Sequence, residues 1–393
     1  MMSDIKLKDK RYVANTYARF DLELVSGKGS LVYDTEGREY IDLSGGIAVN
    51  TFGFSDEEWV SAVTSQLSKL QHTSNLYYSE PCARLAEILC TRTGAKNIFF
   101  SNSGAEANEC AIKCARLWAE KNKGADYYNV ITLRNSFHGR TVTTLAATGQ
   151  DVFHEHFTPM TEGFLYAEAN NSASVRELLE NNKCAAVMME PIQGEGGVMP
   201  LTPEFVAEVR AICDEYKVLL IFDEVQTGNG RSGYLYAYEH FGMLPDIVST
   251  AKGLAGGLPI GATFFFDKTA DVLTAGLHGS TFGGNPISCA AAINVISRID
   301  DALLFEVREK SRYIFSTLSG AEGIKSVSGL GLMIGIETDA DASLVIAECM
   351  KRGILPIKAK NKVRLLPALN IPMEQLARAV EIIKTVAKEL KNA

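Results

Sequence analysis

Through the middle of the chain, short apolar runs alternate with amphipathic stretches. Asn97 to Phe100, Val130 to Leu133, Ala185 to Met189 and Val218 to Phe222 read as strands, and Ile247-Val248 and Ala262 to Phe266 complete the set. Val218 to Phe222 has no polar alternation, so that strand is expected to be buried on both faces. Between the runs, Ala107, Cys110, Ala111, Cys114, Leu117 and Trp118 recur at helical spacing and trace one stripe. Thr202-Pro203 opens a second helix, with Thr as cap and Pro at the first position, followed by the stripe Phe205, Val206, Val209, Ile212, Cys213 and Tyr216. Strands and helices in alternation predict an α/β fold, a mostly parallel sheet with helices on both faces.

The two ends follow another plan. Ser30 to Tyr33 and Glu39 to Leu43 read as short strands separated by a Gly-containing turn. From about Pro286 the chain is helical, then gives strands at Met333 to Glu337 and Val363 to Leu366, and it closes on a helix with the stripe Leu376, Val380, Ile383, Val386 and Leu390. The expected organisation is a large α/β domain over 51–285 and a smaller α+β domain over 286–393, to which the N-terminal segment 1–50 contributes.

At 393 residues the chain exceeds one ordinary domain of roughly 100–200 residues. It is 46% apolar and 22% charged, which excludes a disordered chain. The net charge of −8, with no basic run to offset it, argues against a nucleic-acid surface. The first residues are charged and lack an apolar core, so no signal peptide is read there. The longest uncharged stretch, Val272 to Ser297, holds four glycines, Asn285 and Pro286 and is no membrane span, so a cytoplasmic location is expected. Eight cysteines are too sparse for a disulfide scaffold, and Cys110 and Cys114 lie on an apolar stripe, which makes them core residues rather than ligands. His154 and His156 flank Glu155 without further ligands at metal spacing, and no metal site is expected.

Ligands of open parallel sheets bind beyond the carboxyl ends of the strands, so polar residues there are the chemical candidates. After Phe100 comes Ser101-Asn102-Ser103-Gly104-Ala105-Glu106, a strand-to-helix turn that gathers free N–H groups and a positive helix end, suited to a phosphate. The cluster Gly329 to Gly335 does not match the dinucleotide pattern and leads into a strand, so it is not a second such site. After Phe222 comes Asp223, costly at the end of a buried strand unless something cationic meets it. Ser249-Thr250-Ala251-Lys252 ends another strand with a lysine among small, uncharged neighbours. A desolvated lysine loses its proton and condenses with aldehydes. Phosphate cup, aspartate and lysine together are the requirements of pyridoxal 5'-phosphate.

Further motifs extend this reading along the chain: His72 to Tyr78, Phe137-His138-Gly139-Arg140-Thr141, Glu190-Pro191-Ile192-Gln193-Gly194-Glu195-Gly196-Gly197, Asp223 to Gly228, Gly279 to Pro286 and Arg364-Leu365-Leu366-Pro367. With them the sequence resembles, essentially end to end, the class-III, terminal-amine group of fold-type I PLP-dependent aminotransferases. The resemblance implies transfer of a terminal amino group, with N-acetylornithine as the favoured donor and 2-oxoglutarate as acceptor. Ornithine, succinylornithine, succinyl-diaminopimelate and 4-aminobutyrate are the other donors of the group, and the same scaffold supports aminomutases and decarboxylases. It also implies roles. Gly104 and Ala105 would offer backbone N–H groups to the phosphate, and Thr281 would add a hydroxyl across a homodimer interface. Phe137 would stack on the ring, Asp223 would hold its nitrogen protonated, and Gln226 would reach its phenolic oxygen. Lys252 would bind the aldehyde and move the substrate proton. Arg140 would take the distal carboxylate and Arg364 the near one, with Ser280 and Glu195 also at the substrate. Glu195 would neutralise Arg364 while an aliphatic donor is bound, then swing aside. The sequence departs from the group at Gly53-Phe54, where Gly-His is common, at Ser232, where Thr is usual, and at Ser328, where Arg is frequent.

Overall fold

The non-alternating runs sit where their composition requires. In a computed structural model that describes residues 3–391, Cys184–Met189 and Leu219–Asp223 are buried at every position. They lie in the middle of a seven-stranded sheet whose order in space is Asn97–Ser101, Gly261–Phe265, Ile247–Thr250, Leu219–Asp223, Cys184–Met189, Asn129–Leu133 and Phe164–Ala167. Side chains alternate between two cores. Leu219 and Ile221 join the core that holds Cys110 and Cys114 of helix Gly104–Lys123. Leu220 and Phe222 join the opposite core, with Leu85, Val206 and Val209 of helices Glu80–Thr93 and Pro203–Tyr216. Helices therefore cover both faces, and Cys110 and Cys114 are fully buried apolar filler.

Gly261–Phe265 runs antiparallel to both neighbours, whereas the remaining pairs are parallel. The physical reason is length. Ten residues separate Thr250 from Gly261, and a parallel return takes a crossover of roughly a dozen or more. The cap read at Thr202 is present, its side chain accepting from Phe205 N with Pro203 in the first turn. The Gly329 to Gly335 cluster is a hairpin between Ile324–Leu330 and Met333–Thr338; Gly331 takes φ +59° at its tip and Gly329 φ +129°, with the Met333 carbonyl where a Cβ would stand.

The N- and C-terminal parts share sheets and a core. Leu24–Lys28, Leu31–Asp34 and Glu39–Asp42 form one sheet with Ile354–Leu355, and Ile41 and Leu43 pack with Val307, Ile334, Val363 and Val380. Around the expected boundary at 285/286, successive helices join different cores. Helix Pro286–Arg298 buries Cys289, Ala291, Ala292, Val295 and Ile296 in the large core, while helix Asp301–Leu318 gives Val307, Ile314 and Leu318 to the small one. The change of core falls near Asp300, where the first helix still packs on helices Glu57–Leu67 and Glu80–Thr93 of the large core. No helix among the described residues is long and apolar enough to cross a membrane.

Candidate active site

A cavity of about 440 Å³ opens where the parallel strands end. One wall is the start of helix Gly104–Lys123. The Ser103 hydroxyl accepts from Glu106 N at 3.2 Å, and the Glu106 carboxylate reaches back to Asn102 N at 2.7 Å. This reciprocal cap fixes the turn and leaves the first N–H groups of the helix, Gly104 and Ala105 among them, beside the cavity. Gly104 has to be glycine for contact reasons, since a Cβ there would lie 2.6 Å from a Val225 methyl.

Asp223 and Lys252 share the cavity. Asp223 is 3% exposed, and three N–H groups orient it. Its Oδ2 accepts from Asn108 Nδ2 at 2.7 Å and lies 2.8 Å from His138 Nδ1, and its Oδ1 accepts from Val225 N at 3.0 Å. Asn108 is pinned in turn, its other donor contact being the His138 carbonyl at 2.7 Å and its oxygen accepting from the Ser249 hydroxyl. Lys252 follows strand Ile247–Thr250 with φ +40°, a conformation a non-glycine residue holds only when its surroundings impose it. Burial lowers its pKa, and Arg364 pushes the same way, against Glu195, Asp223 and Glu190. A fraction of neutral amine is thereby available at lower pH than for an ordinary lysine.

Phe137 lines the cavity, packs edge-on against Phe153 at 5.8 Å, and carries the Arg140 guanidinium 5.6 Å from its ring centre. Gln226 is buried at the wall, and its Oε1 accepts from Arg364 Nη1 at 3.2 Å. Arg364, 2% exposed, meets Glu195 through Nη1–Oε1 at 2.6 Å and Nη2–Oε2 at 3.4 Å. Arg364 and Glu195 adjoin the cavity through Gln226 rather than lining it. Burial pushes the Glu195 carboxyl up, but Arg364, with Lys252 and Gln226, holds it below the ordinary range.

Two expected residues are elsewhere in the single chain. The Ser280 hydroxyl accepts from Asn102 Nδ2 at 3.1 Å and Gly283 N at 2.9 Å, outside the cavity lining. Thr281 lines a separate hollow of about 310 Å³ with His72, Asn75, Tyr77 and Cys82. Three residues given no role in the sequence reading join the site: Asn108, and His138 and Glu190 from the quoted motifs. The rule that singled out Asp223, a charge directly after a buried strand, applies equally to Glu190 after Cys184–Met189. Burial, with the Asp223 charge, pushes the Glu190 carboxyl up to about 7, against His138 and two backbone N–H donors. Of the histidines weighed as ligands, His154 lies tilted against Tyr166 at 5.6 Å and His156 edge-on to Phe157 at 6.2 Å.

The cavity thus gathers the start of a helix, a buried lysine of lowered pKa, a buried aspartate and Arg140, with the Arg364–Glu195 pair behind Gln226. The class-III aminotransferase family model matches residues 12–387, and the chain belongs to that family. It is a PLP-dependent aminotransferase with the fold of that class. Over 393 residues it is 49% identical to the acetylornithine aminotransferase of Haemophilus ducreyi, with 99% of this chain and 100% of the relative covered. It resembles the ornithine aminotransferase structure of Toxoplasma gondii, which has PLP partially occupying the active site, at a TM-score of 0.94 and 30% identity over 100% of this chain and 96% of that one. It is likewise similar to the N-acetylornithine aminotransferase structure of Stenotrophomonas maltophilia, at a TM-score of 0.83 and 34% identity over 97% and 98% of the two chains.

Proposed function

We propose that the cavity binds pyridoxal 5'-phosphate and that the enzyme transfers the terminal amino group of N-acetylornithine to 2-oxoglutarate, giving N-acetylglutamate 5-semialdehyde and glutamate, a step of arginine biosynthesis. The donor set suits the cofactor: N–H groups at a helix start for a phosphate, a carboxylate for a ring N–H, and an amine for an aldehyde. Bound there, the cofactor supplies an aldehyde that takes up amino groups and a ring that accepts the electrons left when a substrate C–H bond breaks. Gly104 and Ala105 hold the phosphate, Phe137 covers the ring, Gln226 meets the phenolic oxygen, and Asp223 keeps a proton at the ring nitrogen. Lys252 Nζ holds the aldehyde and carries the proton at the substrate carbon.

The observation that carries the substrate reading is the Arg364–Glu195 pair. A buried arginine facing an aliphatic donor chain would stand unpaired, at a cost of several kcal/mol, and the carboxylate removes that cost. When 2-oxoglutarate enters, Glu195 yields Arg364 to the near carboxylate, and Arg140 takes the distal one of both substrates. Thr281 serves the neighbouring site of a homodimer, a soluble cytoplasmic assembly without nucleic-acid or membrane partners, and Ser280 serves the substrate. Ornithine, succinylornithine, succinyl-diaminopimelate and 4-aminobutyrate are the alternative donors. A panel of terminal amines compared by kcat/KM, with glutamate formation as readout, tests the reading. N-acetylornithine should rank first, and a preference for ornithine, succinylornithine, succinyl-diaminopimelate or 4-aminobutyrate overturns the substrate.

A further inference from the structure

We infer that Glu190 is a positioning residue whose one carboxylate ties the loop carrying Phe137 and Arg140 to the loop carrying Glu195, and so holds Glu195 against Arg364. Glu190 is 5% exposed and lies directly after the central strand Cys184–Met189. Its two oxygens go to different loops: Oε1 accepts from Phe137 N at 2.8 Å and Oε2 from Gly194 N at 3.2 Å. Burying a carboxylate is costly, and here the charge is offset by these two N–H groups and by the nearby His138 and Lys252, while Asp223 opposes it. Both anchored amides precede functional side chains. Phe137 N belongs to the aromatic on the cavity wall, and Gly194 immediately precedes Glu195. The Gly194 backbone packs close to Gln226: a Cβ there would lie 2.7 Å from Gln226 Oε1, the same atom that accepts from Arg364. Fixing Gly194 N therefore fixes the backbone from which Glu195 reaches Arg364.

The chemistry separates the two arms. Glutamine keeps one acceptor and replaces the other by an NH2 donor. In Glu190→Gln the carbonyl retains the shorter bond to Phe137 N, and the NH2 faces Gly194 N–H, donor against donor. That variant releases the Glu195 loop alone, whereas Glu190→Ala releases both.

The inference rests on the Glu195–Arg364 exchange proposed above, so Glu195→Gln is measured beside it. Holoenzymes of wild type, Glu190→Gln, Glu190→Ala and Glu195→Gln are compared by hydrogen–deuterium exchange and by stopped-flow half-reactions with N-acetylornithine and with glutamate. In Glu190→Gln, exchange over 194–198 should rise about tenfold, the loss of one hydrogen bond, while 137–140 and the cofactor dissociation constant stay as in wild type. Its N-acetylornithine half-reaction should slow and its glutamate half-reaction should not, as for Glu195→Gln. Glu190→Ala should loosen both segments and weaken cofactor binding. Unchanged exchange over 194–198 in Glu190→Gln, or equal effects on the two halves, overturns the role of Glu190 while the exchange itself stands if Glu195→Gln separates them. Faster loop exchange with no separation in Glu195→Gln supports the tie between the loops and overturns the Glu195–Arg364 exchange.

Discussion

At the scale of single residues, charge at the end of an apolar strand is the most informative feature of this chain. Asp223 was legible because nothing else in Val218 to Phe222 competes with the core, so a carboxylate there had to have a partner. Its partners were not legible. Asn108 sits inside an apolar helical stripe, and His138 comes from a loop 85 positions away, so only the folded sheet brings them to one oxygen. Asp223→Asn keeps the shape but replaces a charge-assisted bond to a ring N–H⁺ by a neutral one of about half the strength. Turnover should fall at least ~10-fold, the equivalent of ~1.4 kcal/mol, with the cofactor still bound; activity within about threefold of wild type would make Asp223 structural. Lys252→Ala should abolish turnover with the fold intact, and cofactor that remains attached after borohydride reduction would exclude Lys252. The same lysine gives a pH prediction. Its pKa is lowered from 10.5, so the neutral, reactive amine is fully present above a lower pH than usual and is lost as pH falls through that value. The rate at which apoenzyme is trapped by pyridoxal phosphate and borohydride should rise with pH and level off below 10.5. A rate still climbing at that pH would mean the lysine is solvated.

At the scale of elements, unbroken apolar runs located the central strands and helical period the capped helices, because burial on both faces leaves no polar position within a strand. Neither resolved direction. Gly261–Phe265 has the same apolar character as the parallel strands of the sheet, and only the length of its connection reverses it. Edge strand Phe164–Ala167, half-buried at most positions, carried too weak a period to be read. The Glu195 loop and strand Lys362–Leu365 show how a site is assembled from such parts: a 169-residue separation closes into a 2.6 Å ion pair. Removing each side of that pair has different consequences. Arg364→Ala should mainly impair 2-oxoglutarate, by ~2–5 kcal/mol as for a truncated buried charge pair. Glu195→Gln should weaken the terminal-amine half-reaction and improve competition by glutamate. Arg140→Ala should impair both halves, since both substrates offer it a distal carboxylate. Rapid-mixing measurement of each half-reaction decides among them, and equal losses in both halves for Arg364→Ala would sink the division of labour.

At the scale of the whole molecule, Thr281 stands outside the cavity of its own chain and beside an exposed apolar surface. Leu76, Tyr77, Tyr78 and Phe282 are 86%, 73%, 106% and 60% exposed; Tyr77 and Tyr78 line the hollow that holds Thr281, and Phe282 lies against His72 of the same hollow. Apolar side chains so exposed and so clustered mark an interaction surface. The proposed homodimer gives both facts one cause, the patch closing against a second copy and Thr281 entering its cavity. A hybrid dimer tests this more sharply than a single substitution. Thr281→Ala alone should cost one hydrogen bond to a charged phosphate, about 1.5–3 kcal/mol of cofactor affinity. Lys252→Ala alone should have no turnover. In a hybrid of the two, one cavity has neither Lys252 nor a partner threonine. The other has its own Lys252 and receives Thr281 from the Lys252→Ala subunit. Co-expressed with different affinity tags and isolated as the doubly tagged species, the hybrid should therefore hold one site of wild-type cofactor affinity and about half the wild-type activity per dimer. If Thr281 instead serves its own chain, the active cavity in the hybrid is the one with alanine at 281, and its cofactor affinity stays at the weakened Thr281→Ala value.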